Sequence, residues 1–275
     1  MDIKEIISKL SKLESCTPKK VEELLLTALK GATVIPLLQL ARGTYVYRVS
    51  IIEDMSELKS YKRLSYKPAH MNDTYQRAST PSNTMFYGIV ADSYVHALMA
   101  CMGETCDCLR KVNSPHKHYN IVASIWELKS DVALVQMLDI KGNNKSCEFG
   151  NTNELQNCIS EYNSRNVQKN ELFLEFIGNE FRKTATQDAD YWVSAIYTEI
   201  LTQNLRYPGI VYESVQAVDP SLTEVHCVAF TPEFTDSQLN FVKAVQYEFD
   251  YEGIDQVLHP IKVKEFAFNK KDDSD

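Results

Sequence analysis

The chain has 275 residues, 44% of them apolar and 24% charged, with a net charge of −8. That is enough for one sizeable core, alone or with a small appendage. It excludes a general basic surface for nucleic acid, and no run approaches the ~18 apolar residues of a membrane span.

The opening MDIKEIISKL is amphipathic and carries acids, so neither a signal peptide nor a transit peptide is expected. Its Ile3, Ile6, Ile7, Leu10 and Leu13 form a helical stripe over residues 2–14. Thr17 reads as an N-cap with Pro18 at the first helical position, and a second helix runs to about Lys30. The two suggest a helical hairpin, so residues 1–43 are expected to form a helical extension. At Thr44 the pattern changes to TYVYRVSII, whose β-branched and aromatic residues predict a strand. SYVHALMACMGETCDCL predicts a helix, and YNIVASIWEL and SDVALVQMLDI two strands. Asn143–Asn153 is turn-rich, with helices expected near 153–163 and 171–183. A strong helix is predicted from Ala189 to Arg206, stopped by Tyr207-Pro208-Gly209. GIVYESV and EVHCVAFTP read as strands, and the tail 269–275 as disordered. Without regular βαβ alternation the fold class is α+β.

The segment Tyr75–Gly88, YQRASTPSNTMFYG, fits neither a simple strand nor a helix. Its Arg77 sits among hydroxyls, and arginine grips a pyrophosphate through paired N–H donors. Tyr87 offers a ring face and a hydroxyl. The plainer alternative is a loop feeding a buried Phe-Tyr strand. Arg48, inside YVYRVS, must face solvent, a partner or an anion; strand alternation alone favours an outward position. Glu104 is either the wet edge of a helix or a carboxylate in a cleft. Ser214 follows an apolar strand, where open sheets present side chains to ligands, or simply caps that strand. GIVYES is no GxSxG elbow, and the nine glycines form neither GxGxxG nor GxxxxGK. Cys101, Cys106, Cys108, His116 and His118 have a spacing unlike structural zinc sites, and buried thiols beside a polar loop are the plainer reading. The seven cysteines read as reduced thiols, and no metal is expected.

Together, Arg48 in YRVS, YQRAST…MFYG, Glu104 on the following helix ahead of IVASIW, and the strand GIVYESV resemble the RES domain family, over roughly residues 44–232. That family is named for an arginine, a glutamate and a serine far apart in sequence. Glu127 is the alternative glutamate. The chain departs from the family pattern in reading QRAS where many members have a Gly-Arg turn, and in its N-terminal helices. The resemblance implies an ADP-ribosyltransferase-like fold with a mixed β core, here spanning residues 44–268. It implies NAD+ as substrate rather than cofactor, and a cytoplasmic toxin that cleaves NAD+ by hydrolysis or phosphorolysis. Transfer of ADP-ribose to a macromolecule and a catalytically silent interaction module are the alternatives. A small helix-turn-helix antitoxin is the implied partner, with no direct nucleic-acid or membrane binding. Glu104, Arg48 and Ser214 are then the expected catalytic residues. Arg77, Tyr87, Tyr47, Ser79 and Tyr212 are the expected substrate-binding ones.

Overall fold

Apolar residues alternate along some strands, run unbroken along the most buried ones and fall at helical spacing elsewhere, and a mixed nine-stranded sheet carries a core on each face. The computed structural model describes residues 2–12, 16–31, 35–106, 109, 117–137, 167–213, 225–251, 261–266 and 268. The strands are β1 (Leu37–Leu40), β2 (Tyr45–Ile51), β3 (Phe86–Val90), β4 (Lys117–Leu128), β5 (Val132–Gln136), β6 (Gly209–Glu213), β7 (His226–Phe230), β8 (Leu239–Tyr251) and β9 (Ile261–Phe266). Their order is β1-β5-β6-β7-β3-β2-β4-β8-β9, and every pairing is antiparallel except β5 with β6.

Six α-helices accompany the sheet among the described residues: α1 (Ile3–Leu10), α2 (Pro18–Gly31), α3 (Tyr94–Thr105), α4 (Val167–Arg182), α5 (Trp192–Glu199) and α6 (Pro232–Gln238). The capping chemistry is local. Asp2 accepts from Ile3 N–H, Ser93 from His96 N–H and Thr231 from Phe234 N–H. Helices α1 and α2 bury Ile6, Leu10, Val21 and Leu24 in the same cluster as Val49, Ile89 and Cys227 of the sheet. The reverse face buries Val46, Phe86, Val122, Trp126 and Val228. The stretch 1–43 holds the two expected helices and also β1, which pairs with β5.

The helix expected over 189–206 divides into three. A 3-10 turn spans Asp188–Tyr191, α5 follows, and a π-helical turn covers Ile200–Asn204. Arg206 then takes φ 61°, the left-handed conformation that ends the helix before Pro208. The tail 269–275, the helix expected near 153–163, and the end of the strand expected over 130–140 lie outside the described residues.

Two glycines hold the sheet at close approach. A Cβ on Gly209 would lie 2.2 Å from the Ala229 carbonyl oxygen on β7. On Gly88 it would lie 2.4 Å from Val46 Cγ1. The first neighbour is backbone and cannot rotate away. Gly209→Ala is therefore expected to destabilise the fold by about 3 kcal/mol, and more than Gly88→Ala does. Urea unfolding midpoints at unchanged slope measure both, and a Gly209→Ala midpoint at the wild-type value refutes the close approach.

Candidate functional site

The sheet has a weakly paired seam between β2 and β3. β2 pairs along its whole length with β4, and β3 with β7 from Phe86↔Phe230 to Val90↔His226. Between β2 and β3 the register holds only at Tyr47↔Ile89. The backbone groups freed there need other partners. α3 supplies two of them. Cys101 Sγ lies 3.5 Å from the Tyr47 carbonyl and Thr105 Oγ1 3.5 Å from that of Val49. Residues 101, 104 and 105 share one helical face, so the same wedge brings Glu104 to the seam. Its carboxylate lies 3.8 Å from Cys227 Sγ on β7, across the gap.

A cavity of about 950 Å³ opens at this seam. Arg48, Arg77, Tyr47, Tyr87, Glu104 and Tyr212 all line it, joined by Gln76, Cys101, Thr105, Thr184, Ala185, Tyr191 and Cys227. Alternation puts the Arg48 side chain on the opposite face from Tyr47 and Val49. The gap in pairing lets its guanidinium reach Tyr87, and Arg48 Nη1 donates to the Tyr87 carbonyl at 2.7 Å. The guanidinium lies over the Phe86 ring, 5.5 Å from the centroid. Burial pulls its pKa below the ordinary arginine value. Arg48 Nε is buried without a hydrogen-bond partner.

Arg77 is anchored differently. Its Nη1 donates to the carbonyls of Phe181 and, at 3.2 Å, Lys183, where α4 ends and its last carbonyls lack helical partners. The guanidinium also lies 5.6 Å from the centroid of the Tyr191 ring. The wall it steadies is the Thr184-Ala185 turn. The Asp190 carboxylate fixes that turn further by accepting from Thr186 N–H at 2.8 Å and Gln187 N–H at 3.1 Å.

The Tyr87 hydroxyl accepts from Ala78 N–H at 3.0 Å and shares a 2.8 Å hydrogen bond with Ser79 Oγ. Burial pushes its pKa up to about 12. Ser79 is buried behind that ring, where its Oγ also accepts from Met85 N–H at 3.1 Å, and it does not line the cavity. Tyr87 thus presents its ring to the cavity and spends its hydroxyl on the turn. Tyr87→Phe is expected to cost about 1–2 kcal/mol, because the Ala78 N–H loses its acceptor. A thermal or urea midpoint equal to wild type contradicts this.

The unusual segment Tyr75–Gly88 is the support for these residues. It folds as two tight turns, bridged at Gln76↔Ser79 and Thr80↔Asn83. Ser82 Oγ donates to Glu199 at 3.0 Å, and Asn83 bonds Thr202 and Gln203 of the π-helical turn at 3.3 Å each. Its hydroxyls and amide bind the segment to the protein.

Tyr212 on β6 is buried, its ring 5.5 Å from that of Phe181, and burial together with Cys227 and Glu104 raises its pKa well above the ordinary tyrosine value. Burial also pushes Cys101 up to about 12, which keeps it a thiol at neutral pH. Glu127 pairs with Tyr45, lies 3.9 Å from the Cβ position of Gly43, and is not a lining residue. Ser214 lies outside the described residues; its neighbour Glu213 ends β6. Cys108 and His116 lie outside them too. Cys101 and Cys106 are buried, His118 Nδ1 sits 2.9 Å from Asp250, and among the described residues no three metal-ligating side chains gather. No helix among them is long and apolar enough to cross a membrane.

The sequence reading missed Tyr191, Thr184 and Cys227. Nothing local marks them: they reach the cavity only through the packing of α4 and β7 on the seam. In comparison with known proteins, no family model matches the chain and no curated protein matches it.

Proposed function

We propose that the chain is an NAD+-consuming enzyme of the RES type, with an ADP-ribosyltransferase-like core, that cleaves the nicotinamide–ribose bond. The observation that carries this is the convergence of Arg48 and Glu104, 56 residues apart in sequence, on one cavity at the β2–β3 seam. Its volume lies within the range of about 300–1,000 Å³ that ligand pockets span. Two guanidinium groups beside one carboxylate suit a ligand with a dianionic pyrophosphate and a sugar that becomes cationic.

In the proposed reaction the C1″–N bond of NAD+ breaks and its electron pair leaves on neutral nicotinamide. The ribose gains oxocarbenium character, which the Glu104 carboxylate stabilises. Water or inorganic phosphate then bonds to C1″ and releases its proton. The Arg48 and Arg77 guanidinium groups hold the pyrophosphate. The Tyr47, Tyr87 and Tyr212 side chains flank the flat base, and Ser214 orients the ribose or the amide. In this scheme the protein is a cytoplasmic toxin, restrained by a small helix-turn-helix antitoxin.

The test is incubation of the purified chain with NAD+ and chromatography of the products. Free nicotinamide is expected, with ADP-ribose marking hydrolysis and ADP-ribose 1″-phosphate marking phosphorolysis. A second reading, a binding module without turnover, draws on the engagement of Arg77 and of the Tyr87 hydroxyl within the protein. Lasting absence of nicotinamide release, with and without phosphate or a protein acceptor, favours the module.

A further inference from the structure

The cavity at the seam has an ordered floor. Tyr47 on β2 pairs with Ile89 on β3, Ile89 with Cys227 on β7, and Cys227 with Tyr212 on β6. The four residues form one row across four neighbouring strands, and all four line the cavity. Alternation sends Val228 to the reverse face of the sheet and Cys227 to the face that carries α3. Ile89 has no polar side-chain atom, so between the two tyrosines the Cys227 thiol is the group of the row that can donate a hydrogen bond. Cys227 is buried, and its Sγ donates to Glu104 Oε1 at 3.8 Å, within the reach of a sulfur donor.

That contact meets a need of the helix above. The contacts of Cys101 and Thr105 with the carbonyls of Tyr47 and Val49 fix the backbone of α3 at the seam. They do not fix the Glu104 carboxylate, which stands beyond three rotatable bonds and loses side-chain entropy when it is held in one place. An acid that stabilises charge on a bound sugar has to be held within about 0.5 Å of its productive position by partners of its own. We propose that Cys227 is a positioning residue, whose S–H holds the Glu104 carboxylate at one point above the floor row. Its part in turnover rests on the proposed NAD+ reaction; the contact does not. A thiol is a weak donor, so the expected effect is moderate. It also leaves most of the carboxylate's charge for the sugar, which a cationic partner would neutralise.

The test compares purified variants at saturating NAD+. Cys227→Ala is expected to lower the rate of nicotinamide release about tenfold, with KM little changed. Cys227→Ser leaves nearly the same space as alanine but restores a donor, so it should recover most of that loss. A residue that merely fills the floor gives the opposite order, because serine buries a hydroxyl and alanine does not. In Glu104→Gln, adding Cys227→Ala should lower the rate no further. A second measurement needs no turnover. The infrared S–H stretching band of Cys227 is isolated, in reduced protein and in either background, by subtracting the spectrum of the Cys227→Ser variant. It is expected at higher frequency in Glu104→Gln, whose neutral amide accepts more weakly than a carboxylate. The proposal is overturned by Cys227→Ala turning over like the wild type, by Cys227→Ser as slow as Cys227→Ala, by a loss confined to KM, or by an S–H band that Glu104→Gln leaves in place. A wild type that releases no nicotinamide overturns the NAD+ reading instead, and the S–H band then decides by itself whether Cys227 holds Glu104.

Discussion

Glu104→Gln is expected to lower the rate of nicotinamide release by about 10²–10³-fold at saturating NAD+, with KM little changed. The substitution keeps the side chain's length and an oxygen to face Cys227, and removes only the charge. A carboxylate that stabilises an oxocarbenium-like state acts after the substrate is bound, so the loss belongs in kcat. Urea unfolding at the wild-type midpoint shows that the fold is intact. Glu127→Gln is the internal comparison. That glutamate sits against Gly43 outside the cavity lining, so its removal should leave the rate at the wild-type value. Full turnover by Glu104→Gln, or loss of turnover by Glu127→Gln alone, moves the reacting carboxylate away from α3 and breaks the proposed mechanism.

Elements with a strong local period were legible in the sequence. α3, β2, β6 and β7 lie inside their expected ranges because each is a periodic or continuously apolar run rich in β-branched or aromatic residues, or has a cap signal. β8, thirteen residues long, was not read as a strand. Its apolar residues face both sides, and a shift of register against β4 at Ile125/Trp126 breaks the alternation. β1 was absorbed into a helical reading because LLQL is too short to show a period and follows two helices. The candidate site divides in the same way. Arg48, Arg77, Tyr87 and Glu104 could be singled out because a charge or an aromatic pair is visible locally, whereas Tyr212 entered only through the family resemblance. The seam itself could not be seen, since it depends on which strand neighbours which. Neither could the roles it assigns: Arg77 caps α4, a contact across 104 residues, and Ser79 holds Tyr87.

Arg48 is expected to be the harder residue to replace, because it joins the seam and also lines the cavity. In Arg48→Ala the Tyr87 carbonyl loses the donor at 2.7 Å and the Phe86 ring loses its cover. A loss of about 1–3 kcal/mol in stability should accompany the loss of turnover. Activity alone would therefore not separate binding from structure. Arg48→Lys does. An ammonium on a flexible stem is a single point of positive charge, whereas the guanidinium can bond Tyr87 with one nitrogen and a phosphate with another. The lysine variant should recover most of the stability, yet keep NAD+ turnover down by at least about 10²-fold in kcat/KM, the equivalent of about 2.7 kcal/mol. Added guanidinium ion should restore part of the rate to Arg48→Ala and none to Arg48→Lys, whose ammonium already fills the position. If Arg48→Lys turns over NAD+ like the wild type, bidentate recognition is not required. If guanidinium rescues neither protein, the arginine serves only the sheet, and the pyrophosphate contact must be sought at Arg77 or elsewhere along the seam.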